Sequence, residues 1–212
     1  MSTLSSPTRC FRPVGGKVVK VGVLALQGDV SEHIDAFSAA LLRRGCAKES
    51  SVVEVRSPTD LSGCAALALP GGESTTISRL IDKNGLYEPI RDFPGGIFAT
   101  CAGMVLMATD AGDSRVHTLN LIDMKVDRNA FGRQKESFEA DIPITGLDGG
   151  PFHAVFIRAP VVTTAGSGVD VLATLDQGFV AVEKGRYIAL AFHPELGGDL
   201  RLHELFLKNL GI

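Results

Sequence analysis

Residues 18–26, Val-Val-Lys-Val-Gly-Val-Leu-Ala-Leu, form a β-branched apolar run that stops abruptly at Gln27-Gly28, and no other feature constrains this chain more. Strands that read this way are buried on both faces, as happens when helices cover both sides of a parallel sheet. The next segment is helical in pattern. Asp29 with Glu32 three residues later is an N-cap signal, and Ile34, Phe37, Ala40 and Leu41 recur at helical spacing up to Arg44-Gly45. Three more apolar segments end in tight turns. Residues 65–69 run into Pro70-Gly71-Gly72-Glu73-Ser74-Thr75-Thr76 and a helix over 77–82, and residues 96–99 run into Thr100-Cys101-Ala102-Gly103 and a helix over 104–109. Residues 187–192 run into His193-Pro194-Glu195. With a strand over 51–55, this pattern predicts an α/β fold: a single-domain three-layer sandwich with a mostly parallel central sheet and flanking helices.

From Leu121 onward the pattern turns strand-rich, over 121–127, 133–141, 154–159, 169–175 and 179–183, and an amphipathic helix over 200–210 closes the chain. There is no internal repeat, so one domain is expected over 17–212. The first sixteen residues carry Ser, Thr, Pro and Arg, no acidic residue and no apolar h-region, which excludes a secretory signal. A disordered tail over 1–16 is expected, with a short transit peptide as the alternative.

Composition removes several function classes. A chain of 212 residues with 45% hydrophobic residues buries roughly 70% of its unfolded surface and needs no metal or disulfide to fold. No apolar run reaches the roughly 18 residues of a membrane span. A net charge of -3, no Trp and only 2 Tyr leave neither the basic footprint nor the stacking platforms of a nucleic-acid binder. The cysteines Cys10, Cys46, Cys64 and Cys101 are far apart and form no CxxC pair, so reduced thiols in a cytoplasmic protein are expected. No His pair has the spacing of a helical metal site, and no metal or cofactor is expected.

The two sharpest turns carry chemistry. Cys101 has Ala99 two before it and Gly103 two after it, the small residues that a nucleophile elbow requires where the chain doubles back from strand to helix. The other reading is a buried structural cysteine in a β-α unit. A thiol is mostly protonated at neutral pH and wants a base. His193, at another strand end, can serve, with Glu195 two residues on fixing its tautomer if the backbone there stays extended. Residues His33, His117, His153 and His203 are read as solvated or hydrogen-bonded structural side chains. The Pro70-Gly71-Gly72 turn is either a plain glycine turn or a source of N–H donors for an oxyanion, and it lacks the Gly-Lys-Ser/Thr ending of a phosphate loop.

Further segments complete a specific series: Arg128-Asn129-Ala130-Phe131-Gly132-Arg133-Gln134, Ser137-Phe138-Glu139-Ala140-Asp141 and Val155-Phe156-Ile157-Arg158-Ala159-Pro160 lie between the Cys101 and His193 turns. From about Val18 to the C-terminus the chain resembles the glutaminase subunits of pyridoxal 5′-phosphate synthase, which are class I glutamine amidotransferases. The resemblance implies hydrolysis of L-glutamine to glutamate and ammonia. Cys101 would form a glutamyl thioester, His193 would move protons and Glu195 would orient His193. It implies oxyanion donors at Gly71, Gly72 and Ala102, and glutamine contacts at Gly72, Glu73, Ser74, Arg128, Ile157 and Arg158. Arg128 or Arg158 would meet the α-carboxylate and Glu73 the α-ammonium. The implied partner is the synthase subunit, which receives ammonia through an internal channel. Isolated glutaminase subunits would be weakly active, with the oxyanion turn completed on docking, where Gln27-Gly28 takes part; otherwise Gln27 simply ends a strand.

Three positions depart from the family pattern. Ala99 replaces a glycine before Thr-Cys, Asn120 stands where glycine is common between two leucines, and the N-terminal tail precedes the usual first strand. Two other functions compete: a different thiol hydrolase of the same fold, such as a γ-glutamyl hydrolase or peptidase, and a non-catalytic partner-binding subunit.

Overall fold

The computed structural model describes residues 19–46, 50–128, 130–131 and 137–212. The expected tail over 1–16, the opening of the first strand at Val18, Asn129 and residues 132–136 lie outside the described residues. Elements follow in the order β1 (Val19–Leu24), α1 (Val30–Arg43), β2 (Ser50–Val55), α2 (Pro58–Leu61), β3 (Cys64–Leu69), α3 (Ser74–Lys83), α4 (Tyr87–Arg91), β4 (Gly96–Thr100) and α5 (Ala102–Met107). Then come β5 (Ala108–Asp110), β6 (Ile122–Asp127), β7 (Ser137–Ile142), β8 (Phe152–Ile157), β9 (Val161–Ala165), β10 (Asp170–Leu175), β11 (Gly178–Lys184), β12 (Tyr187–Leu190) and α6 (Arg201–Asn209).

The main sheet has the order β2-β1-β3-β4-β12-β11-β9-β6-β5, with β10 added on β11, and β7 pairs with β8 in a separate hairpin. The half from β2 to β12 is parallel, as its buried apolar strands predict. Beyond β12 the neighbours pair antiparallel except for β5 with β6, so the sheet is mixed rather than parallel throughout. The crossover from β1 to β2 moves one way along the sheet and that from β3 to β4 moves the other. Right-handed connections therefore put α1 and α3 on opposite faces, and the reversal opens a crevice at the carboxyl ends of β1 and β3. α6 packs beside α1 and α5 beside α3, which completes the three layers.

Differences from the sequence reading have local causes. The helix after Cys101 ends at Met107, because residues 108–110 pair with β6 as a strand. β9, α2 and α4 were not anticipated; they are short and carry no clean period. Cys64 and Cys101 are free, whereas Cys46 is a disulfide cysteine, against the expectation of reduced thiols throughout. Among the described residues no helix is long and apolar enough to cross a membrane.

Candidate active site

The carboxyl ends of the parallel strands bring together the segments singled out in the sequence. Cys101 sits between β4 and α5 with φ 48° and ψ -105°, backbone angles that a residue with a Cβ rarely adopts. The turn closes because Gly103 lets α5 lie directly on β3: a Cβ there would fall 2.2 Å from the Leu69 carbonyl oxygen. The Cys101 N–H donates to the Leu190 carbonyl of β12 at 2.8 Å, and its buried thiol lies 3.7 Å from the Ile157 carbonyl of β8.

His193 follows β12 and is almost wholly buried. Its N–H donates to the Val155 carbonyl at 2.9 Å, so β8 steadies both the thiol and the imidazole. The β7–β8 hairpin that provides these carbonyls is itself fastened over the site, with Phe152 and Phe156 each packed against Phe192 at ring distances of 5.8 and 5.4 Å. Glu195 reaches His193 by a route other than the one expected. The backbone is not extended here but forms a turn, closed by the Leu196 N–H on the His193 carbonyl at 3.2 Å, with Pro194 in the position where its fixed φ favours the turn. The turn brings Glu195 Oε1 to 2.8 Å from His193 Nδ1, and the Glu195 side chain has no solvent exposure.

Cys101 and the imidazole are brought together at the ends of β4 and β12, which pair in parallel. Burial opposes a positive ring, but the neighbouring Asp29, Cys101 and Glu195 outweigh it and the His193 pKa is pushed up to about 12. Asp29 was read as the N-cap of α1. It occupies that position without a side-chain capping bond, because its carboxylate instead lies 3.2 Å from His193 Nδ1. The neighbouring His193 holds the Asp29 carboxyl below the usual range, against the effect of partial burial. Asp29, His193 and Glu195 place three potential donor atoms within 4.8 Å of one another. Both carboxylates lie nearest the same ring nitrogen.

Behind Glu195 lies a histidine that sequence reasoning passed over. His33 of α1 is fully buried, with Nε2 3.0 Å from Thr100 Oγ1 and 3.5 Å from Glu195 Oε1. Its only signal was an ionisable residue on the buried stripe of an amphipathic helix.

The glycine turn after β3 is packed against both sides of the site. A Cβ on Gly71 would fall 2.3 Å from His193 Cε1, and one on Gly72, whose φ is 143°, would fall 2.5 Å from Gln27 Oε1. Gln27 does more than end a strand, because its Oε1 accepts the Glu73 N–H at 2.9 Å. The Glu73 carboxylate caps α3, accepting from the N–H groups of Thr75 and Thr76. Slight burial works against its charge, but these bonds prevail and take its pKa down to about 2. Ser74 opens α3 and is buried, and its Oγ accepts from Arg128 Nη1 at 3.1 Å. Arg128 in turn lies 3.2 Å from Asp113, which Arg115 also grips, at 2.7 Å. Asp113 and Arg115 border a cleft of about 340 Å³ that extends along β6 from Arg128. Arg158, just after Ile157, has φ 42°.

These contacts assemble a thiol, an imidazole and a carboxylate in sequence, with a glycine turn alongside and a guanidinium nearby. Residues 23–211 match the SNO glutamine amidotransferase family. The chain belongs to this family. Membership makes it a glutaminase, as the sequence resemblance implied. Among its relatives, the Pyridoxal 5′-phosphate synthase subunit PdxT of Methanoregula boonei is 78% identical over 92% of this chain and 100% of that protein. The protein of the same name from Methanosphaerula palustris is 64% identical over 92% of this chain and 98% of that one. A crystal structure of a glutamine amidotransferase superposes with a TM-score of 0.79 at 46% identity, covering 91% of this chain and 99% of the other. The glutaminase domain of Trypanosoma brucei CTPS shares the fold at a TM-score of 0.57 and 14% identity, covering 91% and 93% of the two chains.

Proposed function

We propose that this chain hydrolyses L-glutamine through a Cys101–His193–Glu195 triad and passes the ammonia to a synthase subunit that builds pyridoxal 5′-phosphate. The observation that carries the triad is the His193 imidazole, which donates through Nδ1 to the buried Glu195 carboxylate at the end of β12, beside the Cys101 turn that ends the paired strand β4. The synthase partner is supported by the relatives at 78% and 64% identity, which are named as subunits of that enzyme.

In this reading the thiol proton already resides on His193, which its carboxylate neighbours hold as the imidazolium, and Cys101 Sγ attacks the side-chain amide carbon. The resulting oxyanion lies toward the Ala102 N–H and the Gly71-Gly72 turn. His193 returns the proton to the nitrogen as the C–N bond breaks, and ammonia leaves a glutamyl thioester. Water then attacks the thioester with His193 as base, releasing glutamate and restoring the thiol. Gly72, Glu73, Ser74, Arg128, Ile157 and Arg158 form the glutamine seat. The charged Glu73 faces the α-ammonium, and Arg128, already turned onto Ser74, faces the α-carboxylate. Internal passage of ammonia to the partner keeps it from solvent.

The test is glutamate release from L-glutamine by the full chain, with and without its synthase subunit. Release is expected to rise on adding the partner and to vanish in Cys101→Ala, and Arg128→Ala is expected to raise KM for glutamine. Equal release from the Cys101→Ala protein overturns the triad. Turnover of γ-glutamyl peptides in preference to glutamine overturns the substrate. Thiol labelling gives an independent check: burial pushes the Cys64 thiol up, so Cys101 should react faster than Cys64.

A further inference from the structure

The His193 ring nitrogen that faces Glu195 has a second acidic neighbour. Asp29 Oδ2 lies 3.2 Å from Nδ1 and Glu195 Oε1, which accepts its hydrogen bond, lies 2.8 Å from it, so two carboxylates from distant parts of the chain flank one ring nitrogen. They differ in surroundings: the Glu195 side chain has no exposure, whereas that of Asp29 is 37% exposed. Asp29 is also tied to the glycine turn. A Cβ on Gly28 would fall 1.8 Å from the Gly71 carbonyl oxygen, and one on Gly71 would fall 3.0 Å from Asp29 Oδ2 as well as against the imidazole. Gln27 holds the Glu73 N–H at 2.9 Å. The Gln27-Gly28-Asp29 turn therefore touches both the loop that would supply oxyanion donors and the ring that would move protons.

We propose that Asp29 is a positioning residue for His193: it sets a second carboxylate beside Nδ1 next to the hydrogen-bonded Glu195, favours the imidazolium, and fastens the ring to the Gln27–Asp29 turn. The inference rests on the triad reading. Local geometry favours it over helix capping, because Asp29 holds the N-cap position of α1 yet makes no side-chain capping bond. The titratable groups around the ring are Asp29 and His33 from the α1 side, Cys101 at the end of β4, and Glu195 on its own turn; β8 supplies the Val155 carbonyl to the backbone. Two of these are anionic partners of Nδ1, so removing one charge destabilises the imidazolium without removing the triad. The imidazolium is the form that protonates departing ammonia. Its loss at high pH sets the alkaline limb of the rate profile.

The experiment is the pH dependence of kcat/KM for glutamine hydrolysis by the chain assembled with its synthase subunit, for the natural protein, Asp29→Asn, Asp29→Glu and Cys101→Ala. Asp29→Asn is expected to move the alkaline limb down by about one pH unit, the lower end of the effect of a close opposite charge because Asp29 is partly exposed. kcat should fall roughly tenfold while KM changes little, since proton transfer rather than substrate binding is affected. Asp29→Glu should restore most of the limb. An Asp29→Asn profile that superposes on the natural one overturns the proposal. So does a variant that loses thermal stability with its limb unmoved, because that is the signature of a helix cap alone. Failure of the underlying triad shows separately, as glutamate release that survives in Cys101→Ala.

Discussion

At Glu195 the two carboxylate oxygens have opposite situations. Oε1 accepts from the His193 imidazole, while Oε2 is buried with no hydrogen-bond partner among the described residues. Such an unpaired buried atom is costly. Glu195→Gln keeps the shape but removes the charge, and puts an amide group where Oε1 must accept or Oε2 has no partner. Glutaminase kcat is expected to fall by about 10⁴-fold, in line with the loss of the orienting carboxylate in other triads, with KM and the folded state little changed. Steady-state kinetics with circular dichroism checks this, and a kcat within threefold of the natural chain would remove Glu195 from the triad. Cys101, His193 and Glu195 were legible in the sequence because each sits at a turn whose small or cyclic neighbours announce it. Asp29 holds the N-cap position that its place before an amphipathic run signals, and only the tertiary fold shows that its carboxylate turns to His193 instead of capping. Asp113 carried no local signal and His33 only that of an ionisable residue on a buried helix stripe, since their partners Arg128 and Thr100 are brought to them by strands far along the chain.

Helix α5 and strand β4 meet on terms set by two small residues of unlike importance. Gly103 permits a contact with the β3 backbone that no side chain can enter, as the 2.2 Å approach to the Leu69 carbonyl shows. Ala99, the departure from glycine, is fully buried in β4 between Leu69 of β3 and Ala189 of β12, and its methyl fits. Gly103→Ala should therefore displace α5 and Cys101, costing about 1 to 3 kcal/mol in overpacking and most of the activity. Ala99→Gly should leave activity intact and cost about 1 kcal/mol through backbone freedom in a strand. Urea unfolding with paired glutaminase assays separates the two, and an active, stable Gly103→Ala variant would refute this account of the elbow. Asn120 follows the same logic. Its φ of 54° lies in the left-handed region that asparagine tolerates, so the turn keeps the shape glycine would give it. Elements with a strong period, such as β1, α1 and β4, were legible in the sequence. β9 and β5 were not, because strands this short are defined by their partners in the sheet rather than by their own pattern.

Across the whole molecule, the histidines set opposing slopes of stability with pH. His203 of α6 is fully buried among Phe37 and Phe98, at ring distances of 4.9 and 5.0 Å, with neither ring nitrogen hydrogen-bonded among the described residues. Burial, with help from nearby His33, pushes its pKa down to about 3 from an ordinary value of 6.5. The unfolded chain therefore takes up a proton near pH 6.5 that the folded chain refuses until about pH 3, and stability is lost as pH falls through that window. His33, lowered by burial, acts in the same direction. His193 acts in the opposite one: its raised pKa means that the folded state favours the imidazolium, a contribution fully present below pH 6.5 and lost as pH rises toward about 12. Stability should accordingly peak near neutrality and decline on both sides, with the α1–α6 face responsible for the acid decline. His203→Phe preserves the aromatic packing and removes the titration. Between pH 7 and pH 4.5 the natural chain should lose about 3 kcal/mol more than the variant, at roughly 1.4 kcal/mol for each unit of pH traversed below the ordinary histidine value. Urea midpoints of both proteins at the two pH values measure this difference directly. Parallel losses in the two proteins would show that His203 is hydrogen-bonded or hydrated in solution, and that the acid decline arises from the carboxylates, Asp29 among them, instead.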